Sequence, residues 1–314
     1  MDIRDRRGLK QSAADSLAAA SYDPRKLILI HTGAMVVLSL VLALIDYVLD
    51  QQIGDTGGLS GVGTRAVLET LQSVLMFGQV VALLFWQIGF LFASMQISRG
   101  KTATPETLLE GFRQFGPVLR LRLTLTLLYS GITLLSSYAA SIIFSFTPWA
   151  KPLADATAIG TEEALYTAME QVMLPLSGVL LVVMLIIMVP YTYRLRLTEY
   201  VLMDDPRAGA MNAVRTSRLL MRGNRLELLK LDLSFWWFYL CEMLVMVVAW
   251  GDMLMPLFGL ELPWSDTVSY YLFFVLSYLC QLALYWWQGS HVRVTYAKFY
   301  EAVLPHEESE ELHG

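Results

Sequence analysis

Only 16% of the 314 residues are Asp, Glu, Lys or Arg, while 55% are apolar and the mean hydropathy is +0.50; an ordinary soluble domain carries about 25% charge. This excludes a water-soluble globular fold, a disordered chain and a disulfide-stapled secreted scaffold. The net charge of −5 and pI near 5.4 argue against a nucleic-acid partner, whose binding surface is usually basic.

Residues 1–26 come first, and they hold Arg4, Arg6, Arg7, Lys10, Arg25 and Lys26. Residues 1–22 read as a short amphipathic helix with Ile3, Leu17 and several alanines turned toward lipid headgroups. Behind it, residues 27–45 carry no Asp, Glu, Lys or Arg, a run longer than the core of a cleaved signal peptide, and are read as a retained first span. Equally charge-free are 70–98, 123–150, 171–193 and 267–292, and 233–251 holds Glu242 alone. A bilayer core needs about 20 apolar residues per helix. The fold expected is therefore all-α and polytopic, with six transmembrane helices at about 27–49, 68–98, 121–148, 171–195, 228–251 and 266–292. Residues 305–314 form an acidic tail expected to be disordered.

The termini and the second and fourth loops together hold 21 of the 23 Lys and Arg residues. By the positive-inside rule both termini are expected in the cytoplasm of a bacterial cell, which requires an even number of spans. Trp149, Trp250 and Trp264 mark one interface and Trp236, Trp237, Trp286 and Trp287 the other. Cys241 and Cys280 fall inside spans, where a thiol acts as a small apolar group.

Between the spans, the first loop (54–63) is glycine-rich, and nothing in it supplies the strand, helix or lysine of a phosphate loop. The second loop predicts a short amphipathic helix: Thr104 and Pro105 start it, Leu108, Leu109, Phe112 and Phe115 share a face, and Gly116-Pro117 stop it. The fourth repeats the device, with Asp205-Pro206 at the start, Ala213, Val214, Ser217, Leu220 and Met221 on one face, and Gly223-Asn224 at the end. Pro105, Pro206 and Pro305 recur at nearly equal intervals, and Leu195-Arg196-Leu197-Thr198 is echoed by Val292-Arg293-Val294-Thr295. Both features suggest an internal repeat of span, surface helix and span.

The stretch 200–237 contains Asp204, Asp205, Pro206, Ser217, Leu220, Met221, Gly223, Ser234, Phe235 and Trp237 in an order that resembles the bacterial membrane-protein family known as domain of unknown function 975. Ala297, Phe299, Tyr300 and Leu304 are similar to that family's closing signature, and Gly111-Phe112 to its mid-chain one. Where the family tends to have Pro-Tyr before the closing signature, this chain has Trp287-Gln288. The resemblance implies a multi-pass membrane protein and brings no activity with it.

Three groups of residues are candidates for function. Glu242 is the acid expected nearest the bilayer centre, with Gln281 as its expected partner. It reads either as a proton or cation relay or as a neutral acid making one interhelical hydrogen bond, the second being preferred because no other midplane acid is in view. Arg194, Arg196, Glu199, Asp232, His291 and Arg293 lie at the basic ends of spans four to six. They would line a vestibule for an anionic group if those ends converge, or simply snorkel at helix ends. Arg215, Arg218 and Arg222 form a stripe that could meet anionic lipid or dock a membrane or ATPase partner protein. No zinc, nucleophile-elbow or P-loop motif occurs, and His31, His291, His306 and His313 have no ligand spacing. We therefore expect no enzyme activity, no cofactor and no metal. The function expected is a lipid-associated or partner-binding membrane module, with a subunit of a transporter or permease complex as the alternative.

Overall fold

The computed structural model describes residues 2–55, 62–257, 259 and 266–305. The first loop's centre, Trp264 and the acidic tail with His306 and His313 lie outside the described residues. Every regular element described is helical: α1 (Arg6–Ala18), α2 (Pro24–Asp55), α3 (Val62–Ser98), α4 (Glu110–Arg113), α5 (Phe115–Ser145), α6 (Lys151–Ile159), α7 (Glu162–Leu195), α8 (Thr198–Asp204), α9 (Ala210–Leu220), α10 (Arg225–Ser234), α11 (Trp236–Ala249), α12 (Gly251–Leu257), α13 (Asp266–Leu284) and α14 (Ser290–Val303). A π turn, Tyr285–Gly289, joins α13 to α14 without ending the helix.

Five helical segments are long and apolar enough to cross a membrane: Pro24–Ile53, Gly63–Ser98, Phe115–Ser145, Glu162–Asp204 and Val268–Val303. The pair α10 and α11 makes a sixth only if it counts as one span, because the two helices meet at a 66° bend. The chain is thus an all-α, multi-pass membrane protein. Its 36-residue segments run to about 54 Å at 1.5 Å per residue, well beyond a hydrocarbon core of about 30 Å. Only 6% of the most apolar window in Glu162–Asp204 is buried inside the protein, as suits a helix whose apolar surface meets lipid rather than a protein core.

The chain divides into two compact units, one of residues 1–118 and 227–314 and one of 119–226. In the first, the core sits at one end of the spans. Ala13 of α1, Leu27 and Ile28 of α2, Phe90, Ala93 and Ile97 of α3, Leu108 of the second loop and Val294 of α14 form one buried cluster. Two glycines make this packing possible. A Cβ on Gly89 would lie 1.8 Å from the Leu108 carbonyl oxygen, and one on Gly111 would lie 2.0 Å from that of Phe85, so the second loop packs backbone to backbone on α3.

Several sequence expectations change here. The apolar face of α1 does not turn to lipid: Leu9 and Ala13 are fully buried within the unit, and the helix packs on α14 and α3. The second loop is a 3-10 turn, Pro105–Leu109, followed by one turn of α-helix, and Leu109, Phe112 and Phe115 stay exposed while Leu108 is buried. Gly116-Pro117 is not a stop. Both residues lie in the first turn of α5, where a missing proline N–H costs nothing because that turn has no acceptor for it. The expected straight fifth span breaks at Phe235 although neither glycine nor proline is present there.

α1 is tied down by polar contacts as well. Lys10 Nζ donates to the Ser234 carbonyl at 2.8 Å, at the end of α10, and sits 3.9 Å from the centre of the Phe235 ring. Burial, and then the Arg6 charge, lower the Lys10 pKa from its ordinary value. Lys298 does the same service on α3, donating to the Ser98 carbonyl, while Glu301 accepts from the Ser98 hydroxyl and pairs with Arg99 at 3.4 Å. Cations at helix C-termini meet both the orphan carbonyls and the helix dipole. Lys10→Met is expected to weaken the docking of α1 by about 1–2 kcal/mol, read as faster hydrogen exchange in α1 with α3 unchanged; equal exchange in variant and wild type would contradict the role given to Lys10.

In the second unit, α7 leads through Arg196 and Leu197 into α8, and a 3-10 turn, Pro206–Ala208, leads into α9. The Asp205 carboxylate accepts from the Arg207 N–H at 3.1 Å, and Gly209, at φ +81°, makes the left-handed step that starts α9. The fourth-loop helix therefore begins four residues after the expected proline. Thr198 and, in the first unit, Thr295 are both fully buried, but Thr198 starts α8 after a break and donates to the Leu195 carbonyl three residues back, whereas Thr295 lies inside α14 and donates to the His291 carbonyl four back.

Candidate functional site

The first unit gathers its polar side chains where α10, α11, the π turn and α14 meet. Glu242, on α11, accepts a hydrogen bond from the Tyr285 hydroxyl at 2.7 Å. Arg293, on α14, lies near enough to act on the same tyrosine electrostatically, so acid, hydroxyl and cation gather across α11, the π turn and α14. No hydrogen bond joins Glu242 to Gln281 among the described residues; the partner lies one helical turn further along. A second chain runs beside it. The Tyr296 hydroxyl donates to the Asp232 carboxylate and shares a short hydrogen bond with the Tyr239 hydroxyl.

His291 completes the junction through Nε2, which is 3.1 Å from the Lys10 carbonyl oxygen, and its ring meets Phe235 edge-on at 5.9 Å. A lone carboxylate inside a span is costly, and a hydroxyl with a guanidinium behind it lowers that cost. The arrangement can hold a proton or a charge in place. Its acids are each answered by a tyrosine, which suits a lock between helices better than an open path.

His31, set aside from sequence for want of ligand spacing, has a definite place. It is 95% buried on α2 (5% exposed), stacked on Phe90 at 4.4 Å, with the Trp86 indole donating to its carbonyl oxygen at 3.0 Å. Its Nδ1 has no hydrogen-bond partner among the described residues. No group of three His, Cys, Asp or Glu side chains among the described residues could hold a metal ion.

The residues expected to form a vestibule fall into separate units. Asp232, His291 and Arg293 belong to the first, where Asp232 meets Tyr296 and Arg293 meets Tyr285. Arg194, Arg196 and Glu199 belong to the second. There Glu199 pairs with Arg122 at 3.0 Å, a partner in α5 that the sequence reading did not name, and the Arg194 carbonyl accepts from Ser217 at 3.0 Å.

The arginine stripe lies in that same unit, with Arg215 and Arg218 on α9 and Arg222 in the turn that follows it. Ala213, Val214, Ser217 and Met221 are buried on one side, and Arg215, Arg218 and Arg222 are exposed on the other. Arg218 donates to the Tyr191 hydroxyl at 3.2 Å. No carboxylate lies within ion-pair distance of any of the three among the described residues.

A family model described as a protein of unknown function, DUF975, matches residues 1–307. The chain belongs to that family. No curated protein and no solved structure matches it. In this DUF975 chain the residues that carry the resemblance hold the architecture. Asp205 caps the turn before α9, Ser217 ties α9 to α7, Met221 is fully buried and Gly223, at φ +91°, ends the turn after it. Ser234 and Phe235 form the break in the fifth apolar stretch, Ala297 and Phe299 are fully buried on α14, and Gly111 lets the second loop touch α3.

Proposed function

We propose that this DUF975 protein is a non-enzymatic, six-span module of the bacterial cytoplasmic membrane that associates with anionic lipid through α9. Both termini lie in the cytoplasm in this reading, supported by the 21 of 23 Lys and Arg residues in compartments on the termini's side. α10 and α11 together serve as one bent span.

The observation that carries the proposal is the row of Arg215, Arg218 and Arg222, exposed along α9 and the turn after it, with no carboxylate in ion-pair distance among the described residues and the other face of the helix buried in protein. The backbone that carries Arg215 and Arg218 is already helical, so a phosphate arriving there has only side chains to order. Guanidinium suits phosphate oxygens, and each basic residue near an anionic surface contributes about 1 kcal/mol.

The test is reconstitution of wild type and Arg215→Gln/Arg218→Gln/Arg222→Gln in nanodiscs of zwitterionic lipid with a minor share of phosphatidylglycerol. Wild type is expected to enrich the anionic lipid around it and the triple variant to lose about tenfold or more of that preference. An unchanged preference would refute the role of α9, and capture of a stoichiometric cytoplasmic protein by the stripe would replace lipid with a docked partner.

The alternative, a transport subunit, draws on Glu242 and its bond to Tyr285, since an acid inside a span is a usual contact residue for a transported ion. In that reading Glu242→Gln abolishes transport and leaves the fold intact.

A further inference from the structure

A cleft of about 150 Å³ lies between α2, α3 and α13 in the first unit, within segments apolar enough to span the membrane. Drug-sized ligands occupy pockets of roughly 300–1,000 Å³, so this one admits only a small molecule. α2 contributes Ser39 and Asp46, and α3 contributes Gln72 and Gln79. Asp46 accepts from the Gln72 amide nitrogen at 2.6 Å, and Ser39 Oγ accepts from the Gln79 amide nitrogen at 3.2 Å.

The chemistry of the lining follows from those two bonds. A carboxylate cannot donate, so Gln72 must turn its nitrogen to Asp46 and its oxygen away. No Lys or Arg lines the cleft among the described residues, so Asp46 is the one charged group on its wall there. The third wall is aromatic. Tyr270, Phe274 and Tyr278 follow one another at four-residue spacing along one face of α13, with ring centres 5.9 Å and then 4.8 Å apart.

A carboxylate facing aromatic rings repels an anion, and a purely apolar guest would make no use of the carboxylate. A bare metal ion would want six or more oxygens in a shell and would not use the rings. An organic ammonium uses both walls at once, its charge against Asp46 and its C–H groups against the ring faces. We propose that this cleft binds a small organic ammonium ion, with Asp46 as the counter-charge and Tyr270, Phe274 and Tyr278 as the cation–π wall.

Choline is the probe, and 3,3-dimethylbutan-1-ol, the same shape without charge, is its control. Binding is measured calorimetrically on the full chain in nanodiscs at constant ionic strength. Choline is expected to bind about tenfold or more tightly than the alcohol, and Asp46→Asn, whose amide oxygen still accepts from Gln72, to lose about tenfold for choline alone. Phe274→Leu should weaken choline severalfold and leave the alcohol unchanged, and it decides the matter should Asp46→Asn fail to fold. Absence of choline binding, equal binding of the alcohol, indifference to these substitutions, or displacement of choline by sodium at matched concentration would each overturn the proposal.

Discussion

Gly89→Val is expected to destabilise the protein by about 3 kcal/mol or more. The Cβ it adds falls 1.8 Å from the Leu108 carbonyl oxygen and 2.6 Å from the carbonyl carbon. Both are backbone atoms, so no side chain can swing aside to make room. Leu108 is fully buried in the cluster that joins α1, α2, α3 and α14, so moving its backbone disturbs the packing of the whole end. The control is Gly78→Val on the same helix, where an added Cβ meets nothing within 4 Å and the cost should be small. Thermal unfolding in detergent, with hydrogen exchange over residues 105–113, reads the difference. Equal melting of the two variants would mean that the second loop does not rest on α3.

The second large effect is expected at Tyr296, which is buried on α14 and holds Asp232 and Tyr239 with one hydroxyl. Tyr296→Phe keeps the ring and removes that hydroxyl, taking a donor from a carboxylate and a partner from Tyr239. Hydrogen bonds to charged groups contribute about 1.5–3 kcal/mol, and a loss of that size is expected in the unfolding midpoint. Asp232→Asn retains an acceptor oxygen and should cost less. Were Tyr296→Phe as stable as wild type, the bonds across α10, α11 and α14 would not be what holds that junction.

The membrane class and the positions of the apolar helices were legible in the charge-free runs, because a bilayer demands length and forbids charge. Their ends were not. α3 and α7 continue past the interface with ordinary polar turns such as Glu162 and Glu163, which hydropathy counts as loop. The break at Phe235 carries no proline or glycine. Lys10, more than two hundred residues away, donates to the Ser234 carbonyl beside the break. No local reading can find a helix end capped from another helix.

The site was legible in its residue types and less so in its pairings. Glu242 stood out as an acid in an apolar run, but counting depth along two helices errs by about one turn, roughly 5.4 Å, and Tyr285 stands four residues beyond Gln281. Asp46 drew no attention because it ends the charge-free run 27–45, three residues short of where the first span was expected to end. α2 continues to Asp55, which leaves Asp46 inside the helix against Gln72. The face of α9 that is buried, and so the face left for arginine, followed from the spacing of Ala213, Val214, Ser217 and Met221.

Native mass spectrometry of the protein extracted gently from its own membrane, with stoichiometric proteins and retained lipids scored together, tests the lipid-associated module most directly. The expected spectrum shows the chain carrying anionic lipid, with that lipid lost from Arg215→Gln/Arg218→Gln/Arg222→Gln and no stoichiometric protein bound. A copurifying ATPase or permease, or anionic lipid retained equally by the triple variant, would contradict the account.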